Sequence, residues 1–475
     1  MSAILRVILD DRPLRRTRTG VGHYVAQLLE WLPRVAPDIH VDPFVFTHLS
    51  REGWGDRGTE GASGQGTEAA ALRDQGPRDR GAQPRDVGGG RKPWWLRRTI
   101  QAAYGVVFRF KTRGRYDLYH EPNHIPVRCD LLTITTIHDL SVHVHPQWHP
   151  RDRVRWYEAD FERGVRQTRH FIAASEFTRR EMVRLLGVAP DRITVTYQSP
   201  RAAFTARLHS AIETPHTGGG LIRARSASEG PCIRARSASE GPCIRARSAS
   251  EGPSIRARSA SEGPPVPTPS DSEGSVIRAA SVSERAALDL PERFFLYVGT
   301  LEPRKNVAGL LEAYAALPAA VRRSHPLLIA GAWGWKADAL RQKLAERHLQ
   351  PDVRLLGYLH DAELAAVYAA CTALVWPTLY EGFGLPPLEA MACGAPVIVS
   401  NAASLPEVVG DAGVLLDPHD TAAWTEALRR MAEDEAWRAA LRARGLRQAA
   451  RFSWERCARE TAACYRAVAR NGGGA

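Results

Sequence analysis

Twelve short, mostly apolar stretches alternate with helix-forming segments along this chain, in two blocks of six. In the first block Ile4–Leu9, Val41–Thr47, Leu118–His120, Leu131–Ile137, His170–Ala174 and Ile193–Thr196 read as strands. Gly22–Leu32, Tyr157–Thr168 and Glu176–Leu186 read as helices among them. In the second block the strands are Phe294–Gly299, Leu327–Ala330, Val353–Leu356, Ala373–Trp376, Val397–Ser400 and Gly413–Leu416. Its helices are Val307–Ala316, Lys336–Arg347, Ala362–Ala370, Pro387–Ala392 and Thr421–Ala432. Short apolar strands alternating with helices call for parallel sheets covered on both faces. The expected fold is therefore α/β: two Rossmann-like domains that face each other across a ligand cleft, since such sheets bind ligands beyond their strands' carboxyl ends.

Two segments fall outside this pattern. Residues 222–265 are four copies of I-R-A-R-S-A-S-E-G-P-x. Each copy holds one branched apolar residue and a Gly-Pro break, so it builds neither a core nor a continuous helix. Residues 50–92 are rich in Gly, Arg and Asp, with little that could pack. The expected domains are residues 1–209, carrying the insertion 50–92, and residues 286–453. Between them lies a disordered repeat linker, 210–285, and residues 454–475 are expected as a last helix that crosses back to the first domain.

The net charge of +12 raises the question of nucleic acid. The repeats alone hold eight arginines against four glutamates, and the remaining charge is spread without a helix-turn-helix or an aromatic-basic RNA motif. No nucleic-acid partner is expected. Seven cysteines show no C-x-x-C pair and no disulfide framework, which suits a reducing compartment. The apolar run at the start is too short for a signal peptide, and no stretch has the length of a membrane span. A cytoplasmic location is expected. Residues 93–111 mix aromatic, apolar and basic side chains. Such a helix can lie on a membrane face, or pack on its own domain with its arginines solvated.

Four segments carry chemistry. In Leu379–Val399 two prolines place Glu381 in a loop and Glu389 in the first or second turn of a helix. The helix start offers free N–H groups to an anion, and two carboxylates beside it accept hydrogen bonds from hydroxyls. A phosphate flanked by hydroxylated rings describes a nucleotide sugar. In Tyr297–Asn306, Arg304 and Lys305 lie between a strand and a helix, with Asn306 as a candidate cap. A planar fork and a mobile point charge suit two phosphoryl groups. Thr19–Tyr24 offers Gly20 and Gly22 for close backbone approach. Thr136–Leu140 places His138 and Asp139 just past a strand. Ser175 reads as a helix cap in Ala174–Glu181.

Taken together these segments resemble the retaining glycosyltransferases of family 4, which have the GT-B fold, and the motif versions resemble those of mannosyltransferases acting on cell-surface polysaccharides. The resemblance covers most of the chain outside the two low-complexity segments. It implies phosphate binding by Arg304 and Lys305, a donor-sugar contact by Glu381 and a ribose contact by Glu389. It further implies backbone contacts at Gly382, Phe383, Gly384 and Leu385, a facing loop at Gly20 and Gly22, His138 near the donor sugar, and a weaker place for Ser175. The activity implied is transfer of a hexose, first mannose from GDP-mannose, to a glycan or lipid-linked acceptor, with no cofactor and no required metal. UDP-glucose or another donor remains open, as do a binding protein without transfer and a sugar-nucleotide epimerase. His143, His145 and His149 are close enough in sequence to raise a zinc site, but the spacing does not supply one and no metal is expected.

Overall fold

The computed structural model describes residues 4–15, 20–44, 94–205, 282–346, 349 and 351–472. The repeats, the insertion at 50–92 and most of the expected linker lie outside these residues. Two six-stranded sheets, entirely parallel, account for the alternation. The first comprises β1 (Leu5–Asp10), β2 (Ile39–Phe44), β3 (Leu118–Glu121), β4 (Leu132–Ile137), β5 (His170–Ala173) and β6 (Ile193–Val195), in the order β2-β1-β3-β4-β5-β6. The second comprises β7 (Phe295–Val298), β8 (Leu327–Ala330), β9 (Val353–Gly357), β10 (Ala373–Trp376), β11 (Val397–Ser400) and β12 (Val414–Leu416). Its order is β12-β11-β10-β7-β8-β9.

Burial explains why these short runs suffice. Every residue of β3, β7, β8, β10 and β11 is buried, as expected of strands covered by helices on both faces. The edge strands are less enclosed. β2 tolerates Pro43 because one side of an edge strand needs no donor, and most of β9 is partly or fully exposed. Two helices differ most from expectation. The helix Arg151–Gln167 starts six residues earlier than its apolar spacing suggests, directly after Pro150. The helix Glu435–Ala449 has too sparse an apolar pattern to be read from sequence. It is held by packing, with Gly445 set closely against Met391.

The last helix, Trp454–Gly472, packs on the first sheet, although it follows the second in the chain. Trp454, Cys457, Ala458, Ala462, Cys464, Tyr465 and Val468 join the cluster of Val7, Leu9, Tyr24 and Leu28. The Tyr465 hydroxyl lies 2.7 Å from His120 Nδ1, and Arg466 binds Asp38 at 2.5 and 2.8 Å. Each large apolar side chain so buried is worth about 1.5–3 kcal/mol. Both sheets belong to one compact unit.

Strand order then says where ligands belong. In the second sheet the chain runs from β7 out to β9 and returns to the other side of β7 as β10. The crevice at such a reversal, beyond the carboxyl ends of β7 and β10, is where open α/β sheets bind ligands. The segments after those two strands hold Arg304, Lys305, Glu381 and Glu389.

Candidate active site

After β7 the chain makes a single 3-10 turn, Pro303–Lys305, and enters the helix Val307–Ala315. Asn306 stands at the N-cap position but does not cap with its side chain. It adopts a left-handed φ of 53°, and its amide donates instead to Pro418 O at 3.0 Å. The kink it makes is what an Asn tolerates and most residues do not. The Arg304 carbonyl accepts from Leu379 N at 2.9 Å and Thr378 Oγ1 at 3.1 Å, so the two loops of the crevice are tied together.

The cations meet carboxylates there. Arg304 donates through Nε and NH2 to Glu302 Oε1 at 3.1 and 2.9 Å, and through NH1 to Glu381 Oε2 at 3.3 Å. Asp139, in the loop after β4 of the first sheet, lies 3.9 Å from the same NH1. Lys305 is buried, donates to Glu381 Oε2 and sits over the Trp376 ring, 4.3 Å from its centroid. Burial and neighbouring Arg304 push the Lys305 pKa down, with Glu381 acting against them. Burial opposes the charge on Asp139 too. Arg304, His124 and the hydrogen bond from Ser141 overcome it and hold Asp139 below the ordinary carboxylate range. Two cations and three carboxylates thus converge on the crevice. An incoming diphosphate can take over the cations from Glu302 and Glu381.

Gly384, with φ of 112°, turns the chain into the helix Leu385–Ala392, whose first turn holds both prolines. Glu381 remains in the loop, and Glu389 lies in the second turn, 2% exposed. Its carboxylate is clamped by Arg201, with Nε–Oε1 at 2.7 Å and NH2–Oε2 at 3.0 Å. Arg201 also reaches Asp361 at 2.5 Å, and the Tyr368 hydroxyl donates to Glu389 Oε2 at 3.4 Å. Burial pushes the Glu389 pKa up, and Arg201 works against that rise. The Phe383 side chain is buried against Tyr197 and Phe452. Ser404 Oγ donates to the carbonyls of Glu381 and Phe383 at 2.9 and 2.8 Å.

This loop docks on the first sheet. A Cβ at Gly382 would stand 1.9 Å from His138 O, so only glycine fits the approach. Ser175 Oγ accepts from Thr178 N at 3.0 Å as a helix cap and also donates to Gly382 O at 2.6 Å. Tyr380 stacks edge-on with Phe177 and His145, and its hydroxyl accepts from Leu140 N at 3.3 Å. Gly20 and Gly22 begin the helix Gly20–Val35 rather than ending a loop, and Leu385 Cδ1 lies 3.6 Å from where a Gly20 Cβ would be. Thr19 lies outside the described residues.

His138 sits beneath this contact with both ring nitrogens engaged. Nε2 is 2.9 Å from Pro122 O, which can only accept, so Nδ1 accepts from Gln198 Nε2 at 3.1 Å. Burial, with His124 adding to it, pushes its pKa down to about 4, which leaves the ring neutral at physiological pH. That ring can orient a neighbour but has no spare nitrogen for proton transfer as it stands. His145 stacks on Trp148 at 3.8 Å, His149 is buried apart from it, and no metal-holding group of three His, Cys, Asp or Glu occurs among the described residues.

Several contributors escape a sequence reading. Arg201, Gln198, Thr378 and Ser404 stand in no spacing that announces them; each acts because tertiary packing brings it to the crevice, whereas Glu302 lies two residues before Arg304 in the same segment. Asp139 was visible beside His138, but its proximity to Arg304 was not.

Residues 281–448 match the family described as glycosyl transferases group 1, and residues 18–198 match glycosyltransferase family 4. The chain is 34% identical over 350 residues to an O-antigen chain mannosyltransferase of Escherichia coli, covering 74% of each chain. It is 40% identical over 169 residues to a serotype-specific mannosyltransferase of Escherichia coli, a match spanning 35% of this chain and 20% of that protein. The fold is similar to a sucrose-phosphate synthase from Thermosynechococcus elongatus, with TM-score 0.61, 18% identity and coverage of 98% and 100%. It is also similar to a glycosyltransferase involved in lipopolysaccharide biosynthesis, with TM-score 0.59, 14% identity and coverage of 97% and 99%.

Proposed function

We propose, from the premise that this chain belongs to glycosyltransferase family 4 and has the GT-B fold, that it transfers mannose from GDP-mannose to a hydroxyl of a glycan or lipid-linked acceptor. The observation that carries the reading is the convergence of Arg304, Lys305 and Glu381 at the β7/β10 reversal. In this reading Arg304 and Lys305 take the diphosphate, Glu389 takes ribose hydroxyls and Glu381, freed from the cations, takes the sugar. His138 stays neutral and, once Gln198 releases its Nδ1, orients the sugar by accepting from a hydroxyl. The bond from the anomeric carbon to the diphosphate oxygen breaks as the acceptor oxygen bonds to that carbon. The acceptor proton leaves with the diphosphate, attack comes from the face the diphosphate leaves, and configuration is retained. Arg304 and Lys305 supply the stabilisation of the leaving group that a metal would otherwise give.

The mannose assignment is supported by the two mannosyltransferase relatives. The test is incubation of purified protein with GDP-mannose, GDP-glucose, UDP-glucose and UDP-galactose and a mannose oligosaccharide acceptor, without and with EDTA, reading product and anomeric configuration by NMR. An α-mannoside formed from GDP-mannose in EDTA is expected. Transfer only from a UDP sugar, an inverted product, or loss of transfer in EDTA would each refute that part of the reading.

The enzyme would work at the cytoplasmic face of a membrane. On the helix Trp94–Thr112, Val106 and Phe110 are 59% and 86% exposed one turn apart. Arg109 on the same helix, and Arg113 and Arg115 just beyond its end, are exposed as well, a composition suited to anionic lipid. Among the described residues no helix is long and apolar enough to cross a membrane.

A further inference from the structure

The oxygens that Glu389 would offer to ribose hydroxyls are already engaged. Its side chain is 3% exposed, and Arg201 meets it with two parallel hydrogen bonds, Nε to Oε1 at 2.7 Å and NH2 to Oε2 at 3.0 Å. The Tyr368 hydroxyl takes a further place on Oε2. A guanidinium fork on a carboxylate is among the strong hydrogen-bonded pairs of proteins. Two vicinal hydroxyls would need the same two oxygens, so Arg201 and a ribose compete for one acceptor.

The backbone around Arg201 is fixed, which leaves the side chain as the part that moves. Ser199 Oγ donates to Phe452 O at 3.1 Å, and Trp454 Nε1 donates to Pro200 O at 3.0 Å. On the other side Phe204 is fully buried in the second sheet's core, edge-on to Tyr368. The guanidinium also has partners away from Glu389. NH1 donates to Asp361 Oδ1 at 2.5 Å and lies 3.5 Å from His23 Nε2, on the helix Gly20–Val35. The Asp361 side chain is 41% exposed, so this end of the pair points toward water. A turn of the guanidinium onto Asp361 and His23 therefore frees Glu389 while the cation stays paired, which avoids the cost of a buried charge without a partner.

We propose that Arg201 is a latch on the ribose subsite: without donor it holds Glu389 closed, and the ribose 2′- and 3′-hydroxyls displace it onto Asp361 and His23. The inference rests on the assignment of Glu389 to ribose. The latch lowers the apparent donor affinity by the fraction of molecules in which it stands open. It also makes that affinity depend on the hydroxyl pair, because a ligand without those hydroxyls has nothing to exchange for the Arg201 contacts.

The test is calorimetric titration of GDP and of 2′,3′-dideoxy-GDP into full-length wild type, Arg201→Ala and Arg201→Lys, below the melting temperature of each. GDP should bind about 10-fold more tightly to Arg201→Ala than to wild type, while the affinity of 2′,3′-dideoxy-GDP changes by less than about twofold. Arg201→Lys keeps a cation beside Glu389 and so protects the fold, but it cannot form the fork, and GDP should tighten about threefold. Weaker or unchanged GDP binding in folded Arg201→Lys overturns the latch and makes Arg201 a residue that holds Glu389 in place for the ribose. Equal tightening of both nucleotides overturns it as well, since the exchange acts only through the hydroxyls. GDP binding by none of the three proteins would instead remove the donor-site reading, and the latch with it.

Discussion

Gly382→Ala perturbs the contact that docks the loop after β10 against the first sheet. The added Cβ would lie 1.9 Å from His138 O, 2.7 Å from His138 C and 2.8 Å from Asp139 Cβ, against an ordinary contact of 3.4 Å or more. All three atoms are backbone or its first side-chain carbon, so none can swing away. The donor loop must retreat by about 1.5 Å, which breaks the 2.6 Å hydrogen bond from Ser175 to Gly382 O. Forcing an extra carbon into such a contact costs about 1–3 kcal/mol. A displacement of about 1 Å in a reacting geometry can cost about 10²-fold in rate. The account therefore expects kcat to fall about 100-fold. Donor affinity should fall by no more than about threefold, because Arg304, Lys305 and Glu389 stay on their own sheet. The control is Gly187→Ala, at a helix end with φ of 63° and nothing within 4 Å of its Cβ. It should cost about 1 kcal/mol of stability and leave kcat intact. Stopped assays of mannosyl transfer with thermal melts of both variants decide the matter. A Gly382→Ala enzyme with kcat within twofold of wild type would refute the idea that this approach assembles the site.

Three further outcomes follow from the same contacts. Arg201→Ala leaves the carboxylate of Glu389 buried without its cation, and urea unfolding should show a loss of about 3–5 kcal/mol, much of it regained in Arg201→Ala/Glu389→Gln; a loss under 1 kcal/mol would contradict the pairing. Glu121, enclosed beside Asp10, has its pKa pushed up to about 7 by burial, with Arg12 opposing. Its folded value lies above the unfolded one, so its contribution is complete below about pH 4.5 and is lost as pH rises through about 7. Stability should fall by up to about 3 kcal/mol across that window and Glu121→Gln should flatten the slope; a slope of opposite sign in wild type would count against it. Phe110→Glu should reduce flotation with anionic vesicles severalfold without lowering transfer to a soluble acceptor, whereas unchanged flotation would remove this helix from membrane contact.

Much of the fold was legible because β-strands buried on both faces leave unbroken apolar runs. Ala373–Trp376 and Val397–Ser400 end where sequence places them, and β1 and β2 shift by one to three residues. Glu435–Ala449 was not legible, since a helix bearing four arginines and a glycine has little apolar periodicity to show. At the site, prolines and glycines announced the turn that separates Glu381 from Glu389, because backbone constraints are local. Arg201 and Gln198 were silent for the opposite reason: each reaches its partner across 188 and 60 residues of chain, and nothing local records that. Asn306 misled because cap-forming residues also tolerate the left-handed conformation, and here the second property is the one used. The engagement of both His138 nitrogens likewise depends on Pro122 and Gln198, which only packing brings to the ring.

The central claim is that Arg304 and Lys305 clamp the donor's diphosphate at the β7/β10 reversal. Calorimetric titration of GDP-mannose into wild type and Arg304→Ala tests it most directly, with GDP alone as a second ligand. Loss of a charge-assisted contact of about 1.5–3 kcal/mol should weaken both ligands about 10- to 150-fold in the variant, measured below its melting temperature, which should itself fall because Glu302 and Glu381 lose their shared cation. Equal affinities of a folded Arg304→Ala and wild type for GDP would contradict the account.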